Sequence, residues 1–467
     1  MMNMSQISVE EAVARCAEID GADTEIALRS VLALDDDAVA RTARVEKIDG
    51  LLHGVPVLVK DNIEAEGLPC TAGSLALRGV PIRGDSTVAS RLRRAGAVII
   101  GAANLSEWAN IRSTHSSSGW SAAGGLVANP WALDYSAGGS SSGSGAAVAA
   151  GIVPMAVGTE TDGSIVCPAS LNGVVGIKPT VGSVPTDGVV PVSASQDTPG
   201  SLARTVDDAE RMLAVLQDDV SLLSRSQSID ACSLAIGVVD VWRTGDQATD
   251  ALFDEALRFV KKLSQKVSTS QMIATPDEVY TDEFTVLVHE LRSDLDEYLS
   301  ARATNGAPSS VGDVVEFNRA NADVELLHFG QEIFEMAAKS SGRIAEDYVS
   351  ARQRNLDWVH NNLDVALQQH DILISPAYMP AWKTDFTTGH PLAGGAVTSP
   401  AAIAGLPIVT IPMGLVAGLP VGLSLVGAKN SEAMLIALAR SLEKALGLVQ
   451  DAQWRPLFLR TSSLGHQ

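Results

Sequence analysis

Apolar residues come in short runs between residues 51 and 200. The runs VPVLV, AVIIG, IVPMAVG and GVVGIK are separated by stretches rich in glycine, serine and proline. Such runs are typical of strands buried on both faces of a sheet, and the helix-like segments STVASRLRRAGA and GAAVAAG alternate with them. This order predicts an α/β fold in which a buried sheet is covered by helices on both faces.

The segments on either side have a different pattern. Residues 8–50 are charged and rich in alanine, with helical periodicity in VEEAVARCAEI and in ALDDDAVARTARVEKI. From about residue 205 to 370 the chain becomes acidic and helical, as in DALFDEALRFVKKLSQKV and in the long run 313–339. After this region, DILISPAY predicts a strand and SEAMLIALARSLEKALG predicts a closing helix.

No internal repeat or low-complexity linker divides the chain. The simplest prediction is therefore one α/β domain over residues 1–467. Its core comprises about residues 51–205 and 371–450, and residues 206–370 form a variable helical region inserted between the two parts.

One uncharged stretch is long enough to cross a bilayer, because a membrane helix needs about 20 apolar residues. It extends from Pro391 to Ala428 without a charged side chain. Prolines interrupt it at positions 400, 407, 412 and 420, and many glycines lie between them. We therefore interpret IVTI (408–411) and GLSLVG (422–427) as buried strands joined by turns, not as parts of a membrane span.

The charge balance excludes two classes of partner. The 467 residues include 34 Lys and Arg against 55 Asp and Glu, which gives a net charge of −21 at neutral pH. Neutralising phosphate groups requires clustered Lys and Arg, so we expect no nucleic-acid binding and no docking on anionic membranes.

Four cysteines, Cys16, Cys70, Cys167 and Cys232, are far apart in the sequence. They form no C-x-x-C motif and no Cys/His cluster with zinc spacing, so neither a disulfide framework nor a metal site is predicted. The N-terminal residues MMNMSQISVEEAVARC lack a basic segment followed by an apolar one, so no signal peptide is visible. These observations favour a cytoplasmic location.

Two turns and one lysine are the candidates for chemistry. SAGGSSSGSGAA (136–147) leads directly into the helical GAAVAAG, which favours a packed turn over a flexible linker. In GTETDGSIVCPAS (158–170), Ser164 follows residues whose backbone N–H groups can form an oxyanion hole. Lys60 ends the apolar run GVPVLVK, where a charged lysine is unfavourable unless it is neutral or paired, for example with Asp61.

The segment 136–147 is also compatible with a different nucleophile. Residues 139–143 match the G-x-S-x-G pattern of α/β-hydrolase esterases, which places Ser141 at the nucleophile position. That fold needs a histidine near a strand end, whereas His289, His328 and His360 lie in helical, amphipathic surroundings. Five-residue matches also arise easily in a segment so rich in serine and glycine.

These segments together resemble the amidase signature family over most of the chain. LHGVPVLVKDN resembles its lysine segment, GGSSSGSGAAVAAG its glycine-serine signature and GTETDGSIVCPASLNGVVGIKPTVG its nucleophile segment, while GLPIVTIPMG and GLPVGLSLVG resemble its C-terminal strands. The resemblance implies the family fold, a large mixed β-sheet covered by helices on both faces with a helical insertion. It also implies an amidohydrolase with a Ser–cis-Ser–Lys triad and no cofactor.

The family roles can be carried over onto matching positions. Ser164 corresponds to the nucleophile, Ser140 to the serine that follows a cis peptide bond, and Lys60 to the base. The resemblance places the oxyanion hole at the backbone N–H groups of Thr161, Asp162 and Gly163, with that of Ser164 itself. A buried lysine fits this role, because desolvation can lower its pKa from about 10.4 towards 7 and leave it neutral.

The chain departs from the common family pattern where substrate is selected. Val166 and Cys167 stand where many members have an arginine after the nucleophile, which argues against small dicarboxylic amide substrates. TETDGS, NGVVGIKPTVG and VSASQDTPG are most similar to the peptide-amidase branch, which releases ammonia from C-terminally amidated peptides. Asn110, Ser113, Gln196 and Cys167 are candidate substrate contacts, although a buried structural role is the commoner one for a cysteine.

The sequence thus predicts a hydrolase of C-terminal or other small amides, with a small molecule or short peptide as substrate and a monomer or homodimer as its assembly. Two alternatives stay open. The same triad also suits aryl anilides or carbamates, as in a urethanase, and the chain can instead be an amidotransferase subunit that needs partner chains.

Overall fold

The computed structural model describes residues 7–45, 49–304, 306–389 and 395–448, together with residues 454 and 456. The strands among these residues are β1 (Val31–Leu34), β2 (Pro56–Lys60), β3 (Val98–Ala103), β4 (Trp120–Ser121), β5 (Gly125–Leu126), β6 (Ala128–Asn129), β7 (Ala132–Ser136), β8 (Met155–Glu160), β9 (Val175–Lys178), β10 (Thr198–Ala203), β11 (Ile236–Val238), β12 (Val267–Thr269), β13 (Ile372–Pro376), β14 (Ile408–Val416) and β15 (Leu419–Gly427).

The α-helices in the same part of the chain are α1 (Val9–Arg15), α2 (Ala38–Val45), α3 (Thr87–Arg94), α4 (Ser142–Ala149), α5 (Val166–Asn172), α6 (Val206–Gln217), α7 (Ser221–Ser228), α8 (Gln247–Leu263), α9 (Asp277–Arg302), α10 (Val311–Ala320), α11 (Ala322–Glu325), α12 (Glu332–Lys339), α13 (Glu346–Val359), α14 (Val365–Gln369), α15 (Thr398–Ala404) and α16 (Glu432–Leu446).

Eleven strands form one mixed sheet in the order β1-β3-β2-β8-β10-β9-β14-β15-β13-β11-β12. β2 is parallel to β3 and to β8, and β11 is parallel to β12 and β13, whereas the central strands pair antiparallel. Because β2 and β8 run in the same direction, the residues that follow them meet at one edge of the sheet.

Helices cover both faces of this sheet, as predicted. Val57 and Val59 of β2 lie in the hydrophobic core that also contains residues of α3, α6 and α16. Leu58, between them, lies in a separate core with residues of α1 and α4. Side chains alternate across a strand, so a continuous apolar run such as VPVLV supplies both cores at once.

The predicted strands in the runs from VPVLV to GVVGIK, and at DILISPAY, are confirmed, as is the closing helix. Both predicted strands of the uncharged stretch lie within β14 and β15, while residues 391–394 of that stretch lie outside the described residues. In the described part of the chain, no helix has the length and apolar character needed to cross a membrane.

The region 206–370 is less uniformly helical than predicted. It contributes β11 and β12, which extend the main sheet beyond β13 by parallel pairing. These strands have three residues each and lie next to long amphipathic helices, so helical periodicity masks them in the sequence. The run 313–339 is also divided, into α10, α11 and α12, because residues 326–331 leave the helical path.

Candidate active site

Lys60 lies at the end of β2 and is completely buried. Its Nζ donates hydrogen bonds to Ser140 Oγ at 2.7 Å and to Thr159 Oγ1 at 2.9 Å. Burial lowers the pKa of the Lys60 ammonium to about 7, although the charges of Asp197 and Glu160 oppose this shift. The arrangement places a lysine that can be neutral near physiological pH directly against a serine hydroxyl.

The salt bridge between Lys60 and its neighbour Asp61 that the sequence allowed is not formed. Asp61 Oδ2 accepts hydrogen bonds from the backbone N–H groups of Thr71, at 3.0 Å, and Gly73, at 3.3 Å. The carboxylate therefore stabilises the loop after β2, and its neighbour Lys60 is free to bond to hydroxyl groups.

Ser140 lies in the tight turn before α4, so the glycine- and serine-rich segment is a packed turn and not a linker. The Gly139–Ser140 peptide bond is cis, as the resemblance implies. Ser140 is completely buried, and its carbonyl oxygen accepts the N–H of Ser106 at 3.0 Å. A Cβ on Gly139 would lie 2.2 Å from Ser106 Oγ, which explains a glycine at this position.

Ser141, the candidate nucleophile of the esterase alternative, has a structural environment. It is completely buried, and its hydroxyl donates to the Thr159 carbonyl at 3.0 Å and accepts the Thr159 N–H at 3.2 Å. Its own N–H donates to the carbonyl oxygen of Ser164 at 3.1 Å. Ser141 thus joins the turn of Ser140 to the segment of Ser164, and its hydroxyl is not available to attack a substrate.

Residues 161–164, which we call the serine turn, connect β8 to α5. Gly163 has a φ of +78°, a backbone conformation that favours glycine, and a Cβ there would lie 2.5 Å from the hydroxyl of Tyr378. Glu160 Oε2 accepts the N–H groups of Ile165 at 2.6 Å and Val166 at 2.9 Å, which fixes the chain on the far side of the turn.

The backbone of the serine turn is suited to bind an anion. Among the described residues, no backbone hydrogen bond is donated by the N–H groups of Thr161, Asp162, Gly163 or Ser164. Ser164 retains 7 % exposure, in contrast to the completely buried Ser140. Several free N–H groups beside a partly accessible serine are the arrangement that an oxyanion hole requires.

The carboxyl group of Asp197 is bonded to the first residue of the serine turn. Asp197 Oδ1 accepts the hydroxyl of Thr161 at 2.5 Å, and its Oδ2 accepts the backbone N–H groups of Val192 and Ser193. Burial raises the pKa of Asp197 to about 6. In the part of the chain that the structure describes, no three His, Cys, Asp or Glu side chains are grouped to hold a metal ion.

Two predicted substrate contacts lie on the segment after β3. Ser113 is buried, and its hydroxyl donates to Glu332 Oε1 at 2.7 Å, so α12 holds this segment in place. Asn110 is partly exposed and has a left-handed backbone with φ of +73°, and its buried Oδ1 has no hydrogen-bond partner among the described residues. Of the two, only Asn110 retains a polar atom without a protein partner.

The other two predicted contacts, Gln196 and Cys167, are both buried. Gln196 is buried, and its Nε2 donates to Glu283 Oε1 at 3.0 Å. Cys167 packs in a hydrophobic cluster with Leu171 and Ala381, and burial raises the pKa of its thiol to about 12. Within the described residues, both side chains have protein partners and are buried.

Three residues near the site escaped the sequence analysis. Thr159 accepts hydrogen bonds from Lys60 and, at 3.0 Å, from Asn62 Nδ2. Thr159 and Asn62 both lie inside the quoted motif segments, within two positions of Thr161 and Lys60, and this position was their only signal in the sequence. Glu283 of α9 is more than eighty residues from any motif, and no local pattern marks it.

Comparison with known proteins agrees with this geometry. The family model for amidases matches residues 8–436. The fold is similar to the crystal structure of the native peptide amidase from Stenotrophomonas maltophilia, with a TM-score of 0.86 and 36 % identity over 95 % of this chain and 93 % of that one.

Two curated relatives show how broad this similarity is. One is a glutamyl-tRNA(Gln) amidotransferase subunit from Symbiobacterium thermophilum, which is 32 % identical over 93 % of this chain and 92 % of its own length. The other is the mandelamide hydrolase of Pseudomonas putida, which is 32 % identical over 85 % of this chain and 79 % of its own. The chain therefore belongs to the amidase family and is an amide-hydrolysing enzyme.

Proposed function

We propose that the protein hydrolyses carboxamide C–N bonds through an acyl-enzyme, with Ser164 as nucleophile, Ser140 as proton relay and Lys60 as base. The observation that carries this proposal is the 2.7 Å hydrogen bond between Lys60 Nζ and Ser140 Oγ, formed where both side chains are completely buried. A lysine with a pKa of about 7 can accept a proton at neutral pH, which an ordinary lysine cannot.

The proposed reaction has two halves. Ser164 Oγ attacks the carbonyl carbon, its proton passes to Ser140, and the Ser140 proton passes to Lys60. The C–N bond then breaks, and the leaving amine takes the proton back through the same relay, which leaves an ester on Ser164. Water hydrolyses this ester in the second half, so that one amide and one water give one carboxylate and one ammonium ion.

The serine turn stabilises the charge that develops in both halves. The carbonyl oxygen becomes negative when the tetrahedral intermediate forms, and the free N–H groups of residues 161–164 donate to it. One such donor typically contributes about 10²–10³-fold to the rate. Because the donors belong to the backbone of a turn fixed at both ends, little reorganisation is required during the reaction.

For the substrate we propose the C-terminal carboxamide of short peptides, with ammonia as leaving group. The likeness to the peptide amidase supports this choice. So does the absence of a cation at Val166 and Cys167, because a substrate with a second carboxylate requires one there. A peptide amide presents only neutral groups next to the scissile bond.

A turnover panel tests both parts of the proposal. Purified protein is assayed with an N-capped dipeptide amide, a nitroanilide, a nitrophenyl carbamate and a simple aliphatic amide, with Ser164→Ala as the blank and Ser141→Ala as the matched control. We expect ammonia from the dipeptide amide, none with Ser164→Ala, and continued turnover with Ser141→Ala if it folds. Faster anilide or carbamate cleavage would retain the mechanism but replace the substrate.

A second candidate is the partner-dependent amidotransferase subunit, which the 32 % identity to such a protein over 93 % of the chain favours. It predicts that the isolated protein is inactive on the whole panel and becomes active only with its partner chains. Turnover of any simple amide by the isolated protein, abolished in Ser164→Ala, would exclude a strict dependence on partners.

A further inference from the structure

Glu283 connects the region 206–370 to the back of the candidate active site. It lies in α9 and is only 5 % exposed. Its Oε1 accepts a hydrogen bond from Gln196 Nε2 at 3.0 Å, and its Oε2 accepts one from the hydroxyl of Ser399. Both carboxyl oxygens are thus bonded to neutral groups, and among the described residues no cation takes part. When Glu283 is a neutral acid, its Oε2–H donates to Ser399 Oγ, because a hydroxyl can accept as well as donate.

Each of these two donors has a chain neighbour that contacts the serine turn. Thr398, next to Ser399, lies against the serine turn, because a Cβ on Gly163 would lie 3.4 Å from the Thr398 hydroxyl oxygen. Asp197, next to Gln196, accepts the hydroxyl of Thr161 at 2.5 Å. Glu283 therefore supports the turn through two separate routes without itself belonging to it.

The charges around Glu283 are predominantly negative. We call its carboxyl group and that of Asp162 the carboxyl pair. Burial and the charge of Asp162 raise the pKa of Glu283, and burial and the charge of Glu160 raise the pKa of Asp162. Neither member forms a salt bridge within the described residues, and Asp162 Oδ1 is buried without a hydrogen-bond partner there. A buried pair of this kind is stable only while it retains a proton.

The neighbouring elements do not supply a compensating charge to Glu283. On its own helix, Tyr280 is neutral, because burial raises the pKa of its hydroxyl. Arg354 of α13 is paired with Asp282 at the surface, and the first turn of α15 contributes only hydroxyl groups. The carboxyl groups of Glu160 and Asp197 face the same turn, and Lys178 acts on Asp162 and Glu160.

We propose that Glu283 is a positioning residue that must be a neutral acid for the serine turn to stabilise the oxyanion. Loss of its proton places a second buried negative charge behind Asp162, whose backbone N–H faces the developing oxyanion. Like charges in a low-dielectric interior repel strongly, so the transition state becomes less stable. This inference rests on the proposed function of the serine turn.

The consequence is a pH profile with two limbs of separate origin. The rise in activity on the acidic side reflects Lys60, which must be neutral and whose pKa lies at about 7. The fall on the alkaline side reflects the carboxyl pair, as its last proton leaves. Lys60 alone predicts a plateau at high pH, so the alkaline limb distinguishes the two groups.

The test measures kcat for the best amide of the panel against pH in the wild type, in Glu283→Gln and in Glu290→Gln. Glutamine retains an acceptor for Gln196 and remains neutral at every pH, so we expect the alkaline limb to disappear in Glu283→Gln, with near wild-type kcat at neutral pH. Glu290 is a matched control on the same helix, buried and bonded to Ser193 and Tyr348, but its pKa is lowered by hydrogen bonds despite burial. Glu290→Gln therefore retains the limb.

An alkaline limb that is unchanged in Glu283→Gln overturns the inference. If this variant does not fold, Ser399→Ala takes its place. The Ser399 hydroxyl favours the ionised form of Glu283, so its removal must move the limb to higher pH. A limb that stays in place in Ser399→Ala equally overturns the inference.

A second readout separates this inference from the proposed function. The infrared difference spectrum of wild type minus Glu283→Gln at neutral pH must contain the carbonyl band of a protonated carboxylic acid, whether or not any amide is turned over. For a Ser399→Ala protein the same band is followed against pH. Absence of the band overturns the inference, whereas an inactive wild type that shows the band contradicts only the proposed function.

Discussion

Two completely buried lysines lie at the ends of two strands of the main sheet, and they differ in their partners. Lys60 ends β2 and donates to the hydroxyl groups of Ser140 and Thr159. Lys178 ends β9 and donates to the carbonyl oxygen of Pro179 at 3.1 Å, near the carboxylates of Glu160 and Glu432. Burial lowers the pKa of both, to about 7 for Lys60 and about 8 for Lys178.

This difference shows that burial alone does not make a lysine a base. A base needs a hydrogen-bond partner that can pass on a proton, and a serine hydroxyl can donate as well as accept, whereas a backbone carbonyl can only accept. Lys178 therefore has a perturbed pKa without a route for protons. Its positive charge instead offsets the carboxylates behind the serine turn.

The largest expected effect is on activity when the lysine at the end of β2 is changed. We expect Lys60→Met to lower kcat by about 10⁴-fold or more, since removing one member of a catalytic unit typically has this effect. Ammonia release from the dipeptide amide measures it, and a thermal melt establishes that the variant is folded. A folded Lys60→Met with ordinary turnover would contradict the proposed role.

The pH dependence of the wild type should follow Lys60 on the acidic side. Its pKa is lowered to about 7, so the lysine is protonated and inactive below that pH and neutral above it. We expect kcat/KM to fall about tenfold for each pH unit below this value. Constant kcat/KM between pH 5 and 8 would show that a different group is the base.

A smaller effect is expected when the Thr159 hydroxyl, which accepts a hydrogen bond from Lys60 Nζ, is removed. Thr159→Val removes an acceptor from the charged form of Lys60, which lowers the pKa of the lysine further and makes it a weaker base. We expect about a tenfold loss in kcat and a shift of the acidic limb to lower pH. Thr159→Ser retains the hydroxyl and serves as the control, with both quantities near wild type.

The smallest effect on activity is expected for Lys178→Met, the matching substitution at the end of β9. Without the lysine, the buried carboxylates of Glu160 and Glu432 lose their compensating charge, and the free energy of unfolding falls by about 3 kcal/mol. Folded protein should retain kcat within about tenfold. Denaturant unfolding measures the free energy of unfolding. Equal losses of activity in Lys60→Met and Lys178→Met would contradict the different roles assigned to the two lysines.

The elements that could be predicted from sequence are those whose signal is local. The run VPVLVK indicated both a buried strand and a lysine at its end, because a continuous apolar run has few other structures available. The serine turn was equally visible, since glycine next to serine between apolar segments marks a tight turn.

Elements that depend on distant contacts could not be predicted. β11 and β12 have three residues each. β11 pairs in parallel with β13, which lies more than a hundred residues later in the chain, and β12 pairs in parallel with β11. Glu283 is similar, because its surroundings come from residues 196 and 399, which the sequence does not place next to α9. A helix with several acidic residues gives no indication of which one is buried.

By itself, the sequence determined that this chain forms a mixed α/β fold with Lys60, Ser140 and Ser164 in three low-charge segments next to buried strands. Only the tertiary structure decided which groups these residues meet: the hydroxyl against Lys60, the structural bonds of Ser141 and the carboxyl pair behind the serine turn. The reason is physical. Apolar periodicity is a property of neighbouring residues, whereas the pKa of a buried group depends on desolvation and on charges brought together from the whole chain.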